Sequence, residues 1–209
     1  MITSQEIQAY NAQHHHSSPQ EIICFALSKG TRPIITTNFG PTSASLLYAL
    51  SSIRKDVPVL WGDSGYNTKE TYLFSQKLKA QLELQLHIFT PQRTKAYLDV
   101  RFASGLSDAK SRTAFTDIVK IEPLQRAFAL HQPDLWFTNI RKHQTSLREG
   151  LDIFSTSQQG LLKVSPFFYF TETQIDEYLS VHNLPKEVNY YDPTKPSDRQ
   201  ECGLHLAAI

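Results

Sequence analysis

Cysteine is almost absent: of 209 residues, only Cys24 and Cys202 carry a thiol. Two thiols in unlike settings make no disulfide framework. They are also too few for an iron–sulfur cluster, which usually takes four thiolates. An excess of one charge is missing too, since 21 basic and 20 acidic residues leave a formal +1. That balance gives no case for bulk nucleic-acid or membrane-surface binding, which needs a basic face. No run approaches the ~18 apolar residues of a membrane span. Met1-Ile2-Thr3-Ser4-Gln5-Glu6 has neither the charged nor the apolar region of a secretory signal. Together these absences point to a reduced, cytoplasmic protein.

The hydrophobic share, 40%, is ample for a core. Thr3-Ser4-Gln5-Glu6 has the spacing of a capping box and starts a short helix. The triplet His14-His15-His16 reads as a loop, because three adjacent histidines cannot all point one way on a helix. Ser18 and Pro19 open a helix that Gly30 closes. Cys24 falls inside its apolar run, where cysteine behaves as a small hydrophobe. Strands follow at Pro33–Thr37, Val57–Trp61, Leu86–Phe89 and Leu135–Thr138, with shorter ones near Ile153-Phe154 and Leu161–Val164. Helices alternate with them: Thr42 or Ser43 to about Ile53, Thr68 to about Leu82, a broken stretch from Gln92 to Gln132, and one capped by Thr171. This alternation predicts α/β architecture, a Rossmann-like parallel sheet flanked by helices. The expected organisation is a nucleotide-binding domain over 1–184 and a mobile tail over 185–209, rich in Pro, Asp, Asn and Lys.

In an open parallel sheet, ligands bind beyond the carboxyl ends of the strands, and three polar loops are expected at that edge. The first, Thr36 to Ser43, offers hydroxyls from Thr37 and Thr42, the amide of Asn38, the Phe39-Gly40 turn and a helix N-terminus. Those are the parts of an anion cradle, without the Lys-Ser/Thr end of a P-loop. In the second, Asp63, Gly65, Tyr66 and Glu70 could hold a ribose or base. The third puts Arg141, Lys142 and Arg148 within eight residues, with Gln144 among them, and Lys120 could add a fourth cation. Arginine forks there suit phosphate or sulfate.

At the end of the chain, Cys202 has Arg199, Glu201 and His205 for neighbours. Cations lower a thiol's pKa; from about 8.5, a fall of one unit raises the thiolate share at pH 7 from ~3% to ~24%. Glu201 opposes that shift, so only modest activation is expected in the free tail.

Five blocks, in this order, resemble the phosphoadenylyl-sulfate (PAPS) reductase family, related to the PP-loop pyrophosphatases and adenine nucleotide alpha hydrolases. They are Thr37-Asn38-Phe39-Gly40; Asp63-Ser64-Gly65-Tyr66 through Glu70-Thr71-Tyr72; Lys120-Ile121-Glu122-Pro123-Leu124; Arg141-Lys142 with Gln144 and Arg148; and Glu201-Cys202-Gly203-Leu204-His205. The resemblance implies that Cys202 is the catalytic nucleophile. It implies substrate contacts from Thr37, Asn38, Phe39, Gly40, Thr42, Asp63, Gly65, Tyr66, Lys120, Arg141, Lys142, Gln144, Arg148, Arg199 and His205.

The reaction it implies is reduction of PAPS to sulfite and adenosine 3′,5′-bisphosphate through an S-sulfocysteine, within sulfate assimilation and cysteine biosynthesis. Thioredoxin or glutaredoxin would be the electron donor, with no metal and no bound cofactor. A homodimer is left open. Three departures stand out: Lys142 replaces the second arginine of its block, His143 stands where an acidic residue is usual, and the stretch before Glu201 is short. They keep two alternatives in view, a nucleotide-binding paralogue without reductase activity and a reductase using adenylyl sulfate (APS). An adenylating PP-loop enzyme is disfavoured, because Phe39-Gly40-Pro41 lacks the Ser-Gly-Gly-x-Asp-Ser pattern.

Overall fold

Short β-branched and aromatic runs bounded by turns and capped helices assemble into one six-stranded sheet. The computed structural model describes residues 2–195 apart from 104 and 107, with the backbone alone at 146 and 147. The strands are β1 (Pro33–Thr37), β2 (Pro58–Gly62), β3 (Gln85–Phe89), β4 (Leu135–Phe137), β5 (Phe154–Thr156) and β6 (Leu162–Val164), in the order β3-β2-β1-β4-β6-β5. From β1 the chain builds outward through β2 to β3, then returns to place β4 on the other flank of β1. The order therefore reverses between β1 and β4, where an open α/β sheet leaves a crevice.

The sheet is parallel from β3 to β6, but β5 runs antiparallel to β6. The expected parallel sheet thus carries one antiparallel edge strand, and the connection explains why. Ser157 donates its N–H to the Leu161 carbonyl at 2.8 Å, and Gly160 turns with φ +80°. So short a link closes a hairpin, whereas a parallel crossover needs a dozen residues or more.

Successive strand residues face opposite sides. Ile34, Leu60 and Trp136 meet Ile121, Leu124 and Ala127 on one face. Ile35, Val59, Trp61 and Phe137 join the larger core on the other. That larger core is closed mainly by α2 (Pro19–Leu27), α3 (Ser43–Ser51), α4 (Lys69–Leu82) and α8 (Glu172–Val181). The first face is covered by α7 (Glu122–His131), preceded by α5 (Lys95–Arg101), α6 (Ala109–Thr116) and a π turn at Asp117–Ile121. Pro123 accounts for that π turn. It has no N–H to give the carbonyl four residues back, and the ladder widens so that Glu122 N–H bonds Asp117.

The expected capping box of Thr3 with Glu6 forms on α1 (Ser4–His14), and the expected cap Ser18 forms a further one with Glu21 on α2. Cys24 departs from expectation, for it is exposed. The buried stripe of α2 is Ile22, Ile23 and Ala26. At about 100° per residue, position 24 lies on the opposite side. The histidine triplet also begins earlier than a loop: His14 ends α1 and is buried against Phe25 and Phe154.

α1 covers the outer edge of β5 through one side chain. The Asn11 amide donates to the Phe154 carbonyl at 2.9 Å and accepts from Phe154 N–H at 2.8 Å, as a neighbouring strand would. Asn11→Ala removes both bonds and should lower stability by ~2 kcal/mol, or roughly 5 °C in the melting midpoint. A midpoint within ~1 °C of the parent protein would show that the edge needs no such partner.

Candidate active site

At the reversal between β1 and β4 opens a crevice of about 370 Å³. The loop after β1 forms one wall. Phe39 sits there with φ +50°, a left-handed conformation uncommon for a bulky residue. Its ring is fully buried edge-on to Trp61 and Phe74, at 4.8 and 6.4 Å, and this burial holds the turn. Phe39 thus anchors the loop from the core, while Thr37, Asn38, Gly40 and Thr42 line the crevice. Thr37 Oγ1 accepts the Phe39 N–H and Asn38 Oδ1 accepts the Gly40 N–H, at 3.0 Å each. Thr42 is the N-cap of α3 but makes no side-chain cap bond, so the helix N-terminus is not closed by its own hydroxyl.

The second loop is organised around Asp63, which is buried beside the crevice. Its carboxylate accepts from Gly65 N–H at 2.9 Å, the Asn67 amide at 2.8 Å, and the Tyr72 hydroxyl at 2.9 and 3.0 Å. Gly65 takes φ +77°, closing the turn. Asp63 and Gly65 therefore hold the loop's shape. Tyr66 points toward α5 instead: its hydroxyl donates to Asp99 at 2.8 Å and its ring lies under the Lys95 ammonium. Burial, with Asp99 beside it, pushes the Tyr66 phenol up to about 12, so it stays protonated at neutral pH.

The third loop divides its cations. Arg141 is buried and turned to α8, bonding Glu172 at 2.6 Å. Lys142 lies over the Tyr169 ring, 5.4 Å from its centre. Neither lines the crevice. Arg148, buried, does line it, with Gln144. Gln144 Oε1 accepts from both Arg141 N–H and Arg148 Nη1, which fixes the arginine's direction. From the π turn, Lys120 reaches the same crevice. Of the four cations expected there, the tertiary structure brings two together, Lys120 and Arg148. Lys195 joins them as a third.

Beyond Pro185, Tyr190 and Lys195 line the crevice, and Asp192 and Thr194 pack beside it against Lys120. Asn38 donates to the Tyr190 hydroxyl at 2.7 Å. Lys120 Nζ bonds Asp192 Oδ2 at 2.7 Å, with both side chains largely buried. Thr194 braces the other carboxylate oxygen through its N–H at 3.0 Å and its hydroxyl at 2.6 Å. Burial disfavours the Asp192 anion, but the Lys120 charge and the bonds from Lys120 and Thr194 outweigh it and hold the carboxyl below its usual range. Asp192 was not among the expected site residues. Its signal was Asp192-Pro193-Thr194, an Asp-initiated turn. Asn139, at the end of β4, was missed as well. Its amide ties the third loop to the Thr42 carbonyl at 2.9 Å. Cys202, Arg199 and His205 lie outside the described residues.

This division of cations has a direct consequence for binding. A charge-assisted arginine contact is worth ~1.5–3 kcal/mol, or about 10- to 150-fold in affinity. Arg148→Ala should therefore weaken binding of inorganic phosphate at least tenfold. Arg141→Ala should change it less than about threefold while lowering stability, because Arg141 holds α8 and not the crevice. Equal losses in the two variants, measured by isothermal titration, would contradict this assignment.

The comparisons with known proteins bear on the same residues. The family described as "Phosphoadenosine phosphosulfate reductase domain" matches residues 32–191, from the start of β1 to the residue before Asp192. A phosphoadenosine 5′-phosphosulfate reductase of Xylella fastidiosa is 28% identical, with 96% of this chain and 94% of that protein covered. One from Xanthomonas oryzae is 30% identical over 86% of this chain and 75% of its own length. Among solved structures, a PAPS reductase from Candida auris, determined as a phosphate complex, superposes with a TM-score of 0.79 at 23% identity, covering 90% of each chain. An NH3-dependent NAD synthetase from Campylobacter jejuni shares the fold more distantly, with a TM-score of 0.56 at 16% identity, over 79% of this chain and 72% of that one. The ordered blocks, the crevice at the strand-order reversal and a match over most of the chain agree: this chain belongs to the phosphoadenosine phosphosulfate reductase family.

Proposed function

We propose that the protein reduces PAPS to sulfite and adenosine 3′,5′-bisphosphate, with Cys202 as nucleophile. One observation carries the reading. Lys195 lines the crevice, and Cys202 follows it by only seven residues. At ~3.5 Å per residue, that tether keeps the thiol within about 25 Å of the Lys195 backbone, so it can reach the crevice. The nucleotide lies across the carboxyl edge of the sheet, its phosphosulfate among Lys120, Arg148 and Lys195, with Arg199 joining from the tail.

The Cys202 thiolate attacks the sulfonate sulfur. The bond from that sulfur to the bridging phosphate oxygen breaks, and its electron pair leaves on adenosine 3′,5′-bisphosphate. This covalent step needs no metal or bound cofactor. A thiol of thioredoxin or glutaredoxin then attacks Cys202 Sγ and expels sulfite. The donor's second thiol resolves the mixed disulfide, supplying two electrons in all. The cations near the sulfonate would also favour the Cys202 thiolate on approach. We place the reaction in the cytoplasm, within sulfate assimilation.

Incubating the protein with PAPS and no donor should give a sulfonate adduct on Cys202, seen by peptide mass spectrometry, and Cys202→Ser should abolish both adduct and sulfite. An adduct confined to Cys24, or none at all, would leave a nucleotide-binding protein without this chemistry.

The 3′-phosphate separates PAPS from APS by roughly −1.5 to −2 charges at neutral pH. Because Arg141 and Lys142 face away, its recognition falls to whichever of Lys120, Arg148, Lys195 and Arg199 the phosphosulfate leaves unengaged. PAPS should be preferred over APS by at least about tenfold in kcat/KM, the worth of one charge-assisted contact. Equal turnover of the two nucleotides would show that the 3′-phosphate is not recognised, and the assignment of PAPS as substrate would fall.

A further inference from the structure

The Lys120–Asp192 pair stands where the phosphosulfate would compete for Lys120. Two facts define it. The carboxylate is the chain's own, and it is braced from behind by the N–H and hydroxyl of Thr194. It also sits on the segment that continues through Lys195 to Cys202, and Tyr190 pins that segment again at Asn38. A group of one negative charge thus already neutralises a crevice cation, at 2.7 Å and largely out of water.

Resting on the function proposed above, we infer that Asp192 is a positioning residue with two opposed effects. It weakens nucleotide binding by neutralising Lys120, and it speeds sulfur transfer by anchoring residues 190–195 beside the crevice, which shortens the tether to Cys202. Both effects follow from the same contact. A fixed anion beside Lys120 lowers the attraction of the site for any incoming anion. The same bond shortens the free tether that delivers Cys202, and a shorter tether raises the effective concentration of the thiol at the sulfonate. A residue serving only the fold would, when replaced, weaken binding and chemistry together. Asp192 should separate them.

Asp192→Asn keeps the shape and the acceptor oxygen while removing the charge. Titration of adenosine 3′,5′-bisphosphate by calorimetry should show the variant binding about tenfold more tightly than the parent protein. In single-turnover reactions at saturating PAPS, its rate of Cys202 sulfonation, followed by mass spectrometry, should fall at least about tenfold. Thr194→Val, which removes the hydroxyl brace and leaves the charge, should slow sulfonation with affinity within about twofold of the parent. The inference is overturned if Asp192→Asn binds the nucleotide equally or more weakly, or sulfonates at the parental rate. Should that variant not fold, a parental sulfonation rate in Thr194→Val overturns it alone. Failure of the unsubstituted protein to bind adenosine 3′,5′-bisphosphate would instead remove the proposed function itself.

Discussion

β1 is hydrogen-bonded on both flanks, and the chain leaves it first toward β2 and later toward β4. Everything at the site depends on that double pairing. Two connections heading in opposite directions cannot cover the carboxyl end of the strand between them, so a crevice is left. The loop after β1, the loop after β4 and the π turn before α7 all open onto it. The core supplies the rigidity beneath. Phe39, Trp61 and Phe74 hold the first loop in its left-handed turn, and Trp136 bonds Thr36 at 2.9 Å across the β1–β4 pair.

Charge at the site is sorted by packing. Arg141 and Arg148 are seven positions apart, both are buried, and they do opposite things. One bonds Glu172 and holds α8, while the other is aimed at the crevice by Gln144. A buried ion pair is weak evidence for stability, because desolvating two charges offsets much of their attraction. The Lys120–Asp192 pair is better understood as a device of the site. It joins a cation of the crevice to the chain beyond Pro185.

The family and the outline of the fold were legible in the linear pattern. Short apolar, β-branched and aromatic runs marked all six strands, Ser18-Pro19 and Thr171 marked helix starts, and the five ordered blocks pointed to one family. Those signals are local, or are short strings whose spacing survives without coordinates. What misled was equally local in origin. Cys24 lies in an apolar run, but the helical face that buries Ile22, Ile23 and Ala26 leaves it outside. Tyr66 sits in a matching block, yet its hydroxyl belongs to Asp99.

By itself, then, the sequence determined the elements, their caps, the turn residues and the presence of one cysteine in a block that resembles the family's. Tertiary structure alone decided which cations share a space, which strand runs backwards, and that Asp192 meets Lys120 from 72 positions away. The reason is physical. Caps and periodicity are set by neighbours within a turn or two of backbone, whereas the direction of a long arginine or lysine is set by whichever anion, ring or cavity the distant chain packs beside it.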